Sequence, residues 1–137
     1  MASFACDIVT PEGLLFSDEV SFVSVPATEG EIGILARRAP VMSTLRGGEI
    51  RVKIAEDESA LRFAVAGGYV ESDGNKVVVL ASRAAALAKL DADELRSAKE
   101  ASEKSLASFA DDDPRAAFYR DELTWNALLL DLAAKAR

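Results

Sequence analysis

The chain has 137 residues, about half of them hydrophobic, and a formal net charge of −7. That length suits one domain or two small ones with a modest core. The acidity argues against a nucleic-acid partner and against direct adhesion to anionic lipid, both of which want a basic face. With one cysteine and no histidine, the chain cannot form an internal disulfide, has almost no ligands for a structural zinc, and offers a serine or cysteine nucleophile no customary base. A reducing compartment is expected.

Phe4 to Thr10 alternates apolar and polar residues as a half-buried strand does, with Cys6 between Phe4 and Ile8 as a small buried hydrophobe. Pro11-Glu12-Gly13 turns the chain. Val20 to Val25 is β-branched and aromatic, and Pro26 is expected to end it. Glu29-Gly30 reads as a turn and Glu31 to Leu35 as a short strand with Gly33 in its middle. Glycine inside a strand marks a bulge, a bend or a close backbone approach. Two readings stay open there: a sheet corner, or an edge shaped to meet another protein.

Glu49 to Ile54 alternates cleanly, Glu56-Asp57-Glu58 forms a solvated tip, and Leu61 to Val65 returns with the same period. Gly67-Gly68 is a turn or bulge, and Asp73-Gly74-Asn75 is a hairpin turn of residues that tolerate positive φ. Lys76 to Leu80 is a continuous apolar run, expected to be a strand buried on both faces. Short strands separated by frequent turns point to a β-sandwich or barrel.

At Ser82-Arg83-Ala84 the period lengthens. Leu95, Ala98, Ser102, Leu106 and Phe109 recur at helical steps, Asp91 with Glu94 reads as an N-cap with a capping box, and Arg96–Glu100 and Glu100–Lys104 are spaced as exposed i,i+4 pairs. Asp111-Asp112-Asp113-Pro114 breaks this helix. Asp113 caps the next, Pro114 fits its first position, and the second helix runs to about Lys135. On it Phe118, Trp125, Leu129 and Leu132 form one apolar stripe, and Leu123, Ala127, Leu130 and Ala134 a second. Either the helix sits between two fixed neighbours or it has different partners in different states. The fold class is therefore α+β, mostly β: a flattened sandwich or barrel over residues 1–85, then an antiparallel helical hairpin over 86–137. No apolar run reaches the roughly 20 residues of a membrane span and no signal peptide is visible. A cytoplasmic protein is expected, brought to any membrane by another chain.

Three blocks carry a resemblance. Glu29-Gly30-Glu31-Ile32-Gly33-Ile34-Leu35 followed by Ala39-Pro40, then Val65-Ala66-Gly67-Gly68-Tyr69-Val70-Glu71, then Asn75-Lys76-Val77-Val78-Val79-Leu80-Ala81 resemble, in order, the epsilon subunit of F-type, proton-transporting ATP synthases. One departure lies inside the first block: Ala36-Arg37-Arg38 stands where the family usually has Pro-Gly-His. The resemblance implies a non-catalytic central-stalk (rotor) subunit at the cytoplasmic face of a bacterial membrane, peripheral and not inserted. It implies that the sandwich joins the gamma subunit to the c ring, and that the hairpin can extend to the alpha and beta subunits and inhibit ATP hydrolysis. It would place the c-ring contact at Glu29, Gly30, Glu31, Ile32 and Gly33, the gamma contact at Arg38, Ala39, Pro40, Val41 and Met42, and the regulatory hairpin on Leu95, Phe118, Trp125, Leu129 and Leu132.

Some members of that family bind ATP through Ile/Leu-Asp-x-x-Arg-Ala at the start of the first helix. Here the stretch is Leu90-Asp91-Ala92-Asp93-Glu94-Leu95. Glu94 in place of arginine would repel a phosphate, and Asp91 is accounted for as a helix cap. No nucleotide, other cofactor or metal is expected. The alternative to a motor subunit is a stand-alone adenine-nucleotide sensor sharing the fold.

Overall fold

The computed structural model describes residues 2–135. Ala136 and Arg137, the end of the expected hairpin segment, lie outside the described residues. The chain divides into two compact units, Met1–Ala86 and Leu87–Arg137.

The first unit is a ten-stranded sheet folded on itself: β1 (Phe4–Thr10), β2 (Gly13–Val20), β3 (Phe22–Ala27), β4 (Gly30–Ile34), β5 (Val41–Leu45), β6 (Gly48–Lys53), β7 (Leu61–Val65), β8 (Gly68–Ser72), β9 (Lys76–Ala81) and β10 (Ala84–Ala86). The strands run in the order β10-β7-β6-β3-β5-β8-β9-β1-β2, with β4 paired to β3 alone. The two halves meet at β3, where Phe22 to Ser24 pair with β6 and Ala27 pairs with Leu45 of β5. All pairings are antiparallel except β1 with β9, which is parallel. At the far ends of the order, Phe16 of β2 meets Phe63 of β7 with ring centroids 5.5 Å apart, so the first half closes over the second.

Alternation decides which residues lie inside. Ile8, Val23, Val25, Ile50, Val52, Val65, Val70, Val77 and Val79 are fully buried in one cluster. Cys6 lies in the same cluster. Burial, with the charge of neighbouring Asp7, pushes its thiol pKa up to about 12, so it is an inert hydrophobe.

Several strand expectations need correction. The run from Val20 to Val25 is broken at Ser21, and Pro26 lies inside β3 opposite Glu31 instead of ending it. Proline is tolerated at that position because the β6 pairing ends at Ser24 and the β5 pairing begins at Ala27, so its missing N–H costs no ladder bond there. Gly13–Val20 and Val41–Leu45 are strands that alternation did not pick out. The expectation that Lys76 to Leu80 is buried on both faces fails: Val77 and Val79 are buried, but Leu80 is 53% exposed.

In the second unit a single turn of 3-10 helix at Leu87–Lys89 leads into α1 (Ala92–Ala107), and α2 is Pro114–Ala134. Both caps are as the sequence implies. Asp91 Oδ1 accepts from the backbone N–H groups of Asp93 (2.8 Å) and Glu94 (3.3 Å), and Asp113 Oδ1 accepts from that of Arg115 (2.9 Å). The reciprocal bond of a capping box is absent among the described residues, and Arg96 pairs with Asp93 instead of Glu100. Exposed charges one turn apart choose partners by fractions of a kcal/mol. Next to the connection Phe109 stacks on Tyr119 (5.8 Å) and Arg115 lies 4.5 Å over the Phe109 ring.

On α1 Leu95 and Ser102 are buried and Leu106 half-buried, but Ala98 is exposed and Lys99 half-buried; Phe109, also half-buried, lies beyond the helix, which ends at Ala107. On α2 Trp125, Leu129 and Leu132 are buried with Ala116 and Asn126. Phe118 is not part of that buried stripe. It is 58% exposed, beside the connection, with its ring edge-on to Tyr119 (5.1 Å). The second stripe is only partly covered: Leu123 and Leu130 are half-buried, and Ala127 and Ala134 exposed.

Candidate functional site

The signature stretch occupies β4 and the turn after it. Among the described residues β4 pairs only with β3, which leaves its other side as a sheet edge. Glu29, Gly30, Glu31 and Gly33 are exposed there and Ile32 is half-buried. Gly33 has a packing reason to be glycine: a Cβ would sit 3.2 Å from Cε1 of Phe22. That supports the sheet-packing reading without removing the open edge.

The turn Leu35–Pro40 reverses the chain into β5. Arg38 folds back so that its Nη1 donates to the carbonyl oxygen of Gly33 at 2.9 Å. This bond ties the two expected contact groups together. Arg38, Ala39, Pro40 and Met42 are exposed and Val41 is half-buried. A charged side chain on an edge carbonyl also discourages an incoming strand. The edge is thereby suited to a loop or a side chain of another protein.

Beyond Met42 the register builds a feature that the motifs did not reveal. Met42 stands opposite Glu71, Tyr69 opposite Leu80, and Leu80 opposite Val9. All point away from the core, since Val70 and Val79 point into it. Met42 is 73% exposed, Tyr69 57% and Leu80 53%. They flank two shallow apolar hollows, one of about 350 Å³ reaching Val9 and Pro11, the other of about 150 Å³ reaching Val78. Neighbouring large apolar side chains left in water mark an interaction surface. The clue was in Tyr69-Val70-Glu71 and Val77 to Leu80, where apolar residues occupy both strand faces.

Three ion pairs lie on the sheet. Arg62 Nη2 donates to Glu49 Oε2 at 2.7 Å and Arg51 Nε to Glu49 Oε1 at 2.9 Å. The Arg62 guanidinium holds the Glu49 carboxyl below the usual carboxylate range, against the opposing effect of burial, with Arg51 assisting. Asp7 is lowered likewise, by the Ser17 hydroxyl (2.7 Å) and the Lys76 ammonium (3.2 Å). Arg62–Glu49 ties β7 to β6 and Lys76–Asp7 ties β9 to β1, and the two groups do not converge on a cleft. Among the described residues no group of three or more His, Cys, Asp or Glu is placed to hold a metal. Asp91 caps α1, accepting from the N–H groups of Asp93 and Glu94, and the Glu94 side chain itself is exposed.

Residues 3–87 match the family model described as ATP synthase, Delta/Epsilon chain, beta-sandwich domain. ATP synthase epsilon chains are similar across most of the sequence. That of Desulforamulus reducens is 38% identical over 102 residues, covering 74% of this chain and 76% of its own. That of Neisseria meningitidis is 36% identical over 112 residues, covering 82% and 80%. Epsilon chain 1 of Methylococcus capsulatus is 42% identical over 101 residues, covering 74% and 71%. The chain belongs to the ATP synthase epsilon-chain family. As a member it is a non-catalytic subunit and not an enzyme by itself. The fold is shared more widely. A chain of the Euglena gracilis mitochondrial ATP synthase (OSCP/F1/c-ring) superposes with a TM-score of 0.67 at 17% identity, covering 99% of this chain and 81% of that one. A chain of the Tetrahymena thermophila mitochondrial ATP synthase central stalk/c-ring does so with a TM-score of 0.57 at 13% identity, covering 96% and 97%.

Proposed function

We propose that the chain is the central-stalk epsilon subunit of a proton-translocating F-type ATP synthase, linking the gamma subunit to the c ring. The observation that carries this reading is the exposed apolar face of Met42, Tyr69 and Leu80, continuous with the Arg38–Met42 segment. Gamma is assigned to that face, because a permanent subunit contact is more apolar than ordinary surface. The c ring is assigned to the free edge at Glu29, Gly30, Glu31, Ile32 and Gly33, whose carboxylates can accept hydrogen bonds from polar loops.

The chain reaches the cytoplasmic side of the membrane through these partners. Among the described residues no helix is long and apolar enough to cross a bilayer. The hairpin carries a regulatory role in this reading: α2 is buried along Trp125, Leu129 and Leu132, while Phe118, Leu123 and Leu130 retain apolar surface for a second set of contacts with alpha and beta. ATP is not expected to bind, since Asp91 is occupied by the helix N–H groups and Glu94 places a negative charge beside them.

The test is binding to the purified gamma subunit of the same complex, for the unaltered chain and for Tyr69→Lys with Leu80→Asp. Both side chains already face water, so the double variant should fold normally and lose at least tenfold in affinity. Equal binding by the two proteins would remove gamma from this face.

A further inference from the structure

Among the described residues Arg37 is the one non-glycine residue with a positive φ, +63°. A Cβ disfavours that region, and residues persist there when their surroundings hold them. Here two turns lock against each other. The Arg37 N–H donates to the carbonyl oxygen of Gly74 (3.1 Å), and the Arg38 N–H to that of Leu35 (3.3 Å). Gly74, itself at φ +97°, lies so close that a Cβ on it would be 3.2 Å from the Arg38 carbonyl oxygen. Asp73 Oδ1 fixes this second turn by accepting from the N–H groups of Asn75 and Lys76, both at 2.9 Å.

The strained residue carries a guanidinium that none of the described residues pairs with. Arg38 is bonded to Gly33, Arg46 to Gly47, Arg51 and Arg62 to Glu49, Arg96 to Asp93, Arg115 to Asp113 and Arg120 to Asp111, and Arg83 also has a partner. Arg37 is exposed and is the one arginine of the described residues with none. Glycine would satisfy the backbone at this position more easily and keep the bond to Gly74. Nothing within the fold accounts for an arginine there.

We propose that Arg37 is a recognition residue for assembly, presented by its left-handed backbone to a carboxylate on a loop of the gamma subunit. The inference rests on the gamma contact proposed above, which begins at the next residue. A guanidinium suits a carboxylate because its fork makes two parallel hydrogen bonds. An anionic lipid surface is the poorer match: exposed Glu31 lies on the strand that Arg38 ties to this turn, with exposed Glu29 just before it, and both would meet the same negative surface.

The test is the affinity for purified gamma across a salt series, for the unaltered chain, Arg37→Asn and Arg37→Lys. Asparagine tolerates positive φ and removes the charge. Arg37→Asn should fold with an unchanged or higher Tm, bind gamma about tenfold more weakly and show a shallower salt dependence. Arg37→Lys should recover part of the affinity, because it keeps the charge without the fork. Arg37→Asn binding as tightly as the unaltered chain would overturn the inference while leaving the gamma contact standing. No binding by the unaltered chain would overturn the gamma contact itself, and the inference with it. A loss by Arg37→Asn confined to vesicles containing phosphatidylglycerol, with gamma binding intact, would assign the guanidinium to a lipid phosphate and refute the carboxylate.

Discussion

Replacing Gly68 by alanine should disrupt the sandwich more than any other single methyl group added at a glycine. Gly68 opens β8 at φ +143°, a region open essentially to glycine alone. A Cβ there would sit 2.0 Å from the Leu80 carbonyl oxygen and 3.0 Å from Ala81 Cα. Relief requires β8 and β9 to part by more than about 1 Å. But β9 is also held on its other side by β1, with Val9 opposite Leu80, and Gly67 accepts from the Ser82 N–H at 2.9 Å next to the clash. Backbone strain of about 1–3 kcal/mol and one or two weakened ladder bonds at about 1 kcal/mol each give a loss of roughly 2–5 kcal/mol. The assay is urea unfolding followed by the β-sheet circular dichroism signal. Gly13→Ala is the control, because Gly13 has φ +129° but nothing within 4 Å of the added carbon, so it meets the backbone cost without the clash. A loss below about 1 kcal/mol for Gly68→Ala, or one equal to that of Gly13→Ala, would refute the close approach as its cause.

Four further outcomes are expected. Arg62→Met should cost roughly 2 kcal/mol at pH 7, less than a fully buried pair. Since Arg62 holds the Glu49 carboxyl below its unfolded range, that stabilisation is fully present above about pH 4.3 and is lost as pH falls through the lower folded value; denaturation curves of the two proteins should converge in acid, and a gap that persists there would contradict the ion pair. A chain ending after Ala86, which keeps β10 on β7, should unfold cooperatively as a β protein and bind gamma, while an assembled enzyme containing it should hydrolyse ATP faster than one with the full chain. Asp91→Ala should weaken α1 by about 1 kcal/mol in thermal unfolding, and calorimetric titration of the unaltered chain with MgATP should give no binding heat.

What the sequence made legible was what depends on near neighbours. Glu49 to Ile54 and Leu61 to Val65 are patterned as strands and both form them, the first ending one residue early at Lys53 and the second burying Phe63, Ala64 and Val65 in succession. Asp91 and Asp113 cap their helices because capping needs only the next two or three residues. The hidden strands are those whose pattern is mixed: Val41-Met42-Ser43-Thr44-Leu45 has an exposed methionine, and Leu14 to Glu19 runs from apolar to acidic without alternation. The exposure of Leu80 could not be read from Val77 to Leu80, since a strand covered on both faces and one with a docking face have the same composition. Nor could the backbone of Arg37, which depends on a turn closed by Gly74, more than thirty residues away in the chain. The β4 stretch was legible as a family motif, but the apolar face beside it arises only when β5, β8 and β9 are put in register.

The central claim is membership of the central stalk, and the direct measurement is native mass spectrometry of the F-type complex isolated from membranes of the source cell. The account predicts one copy of this chain in each intact complex, released on partial dissociation together with gamma and the c ring. A complete complex lacking the chain, with the chain recovered alone in the soluble fraction, would contradict it.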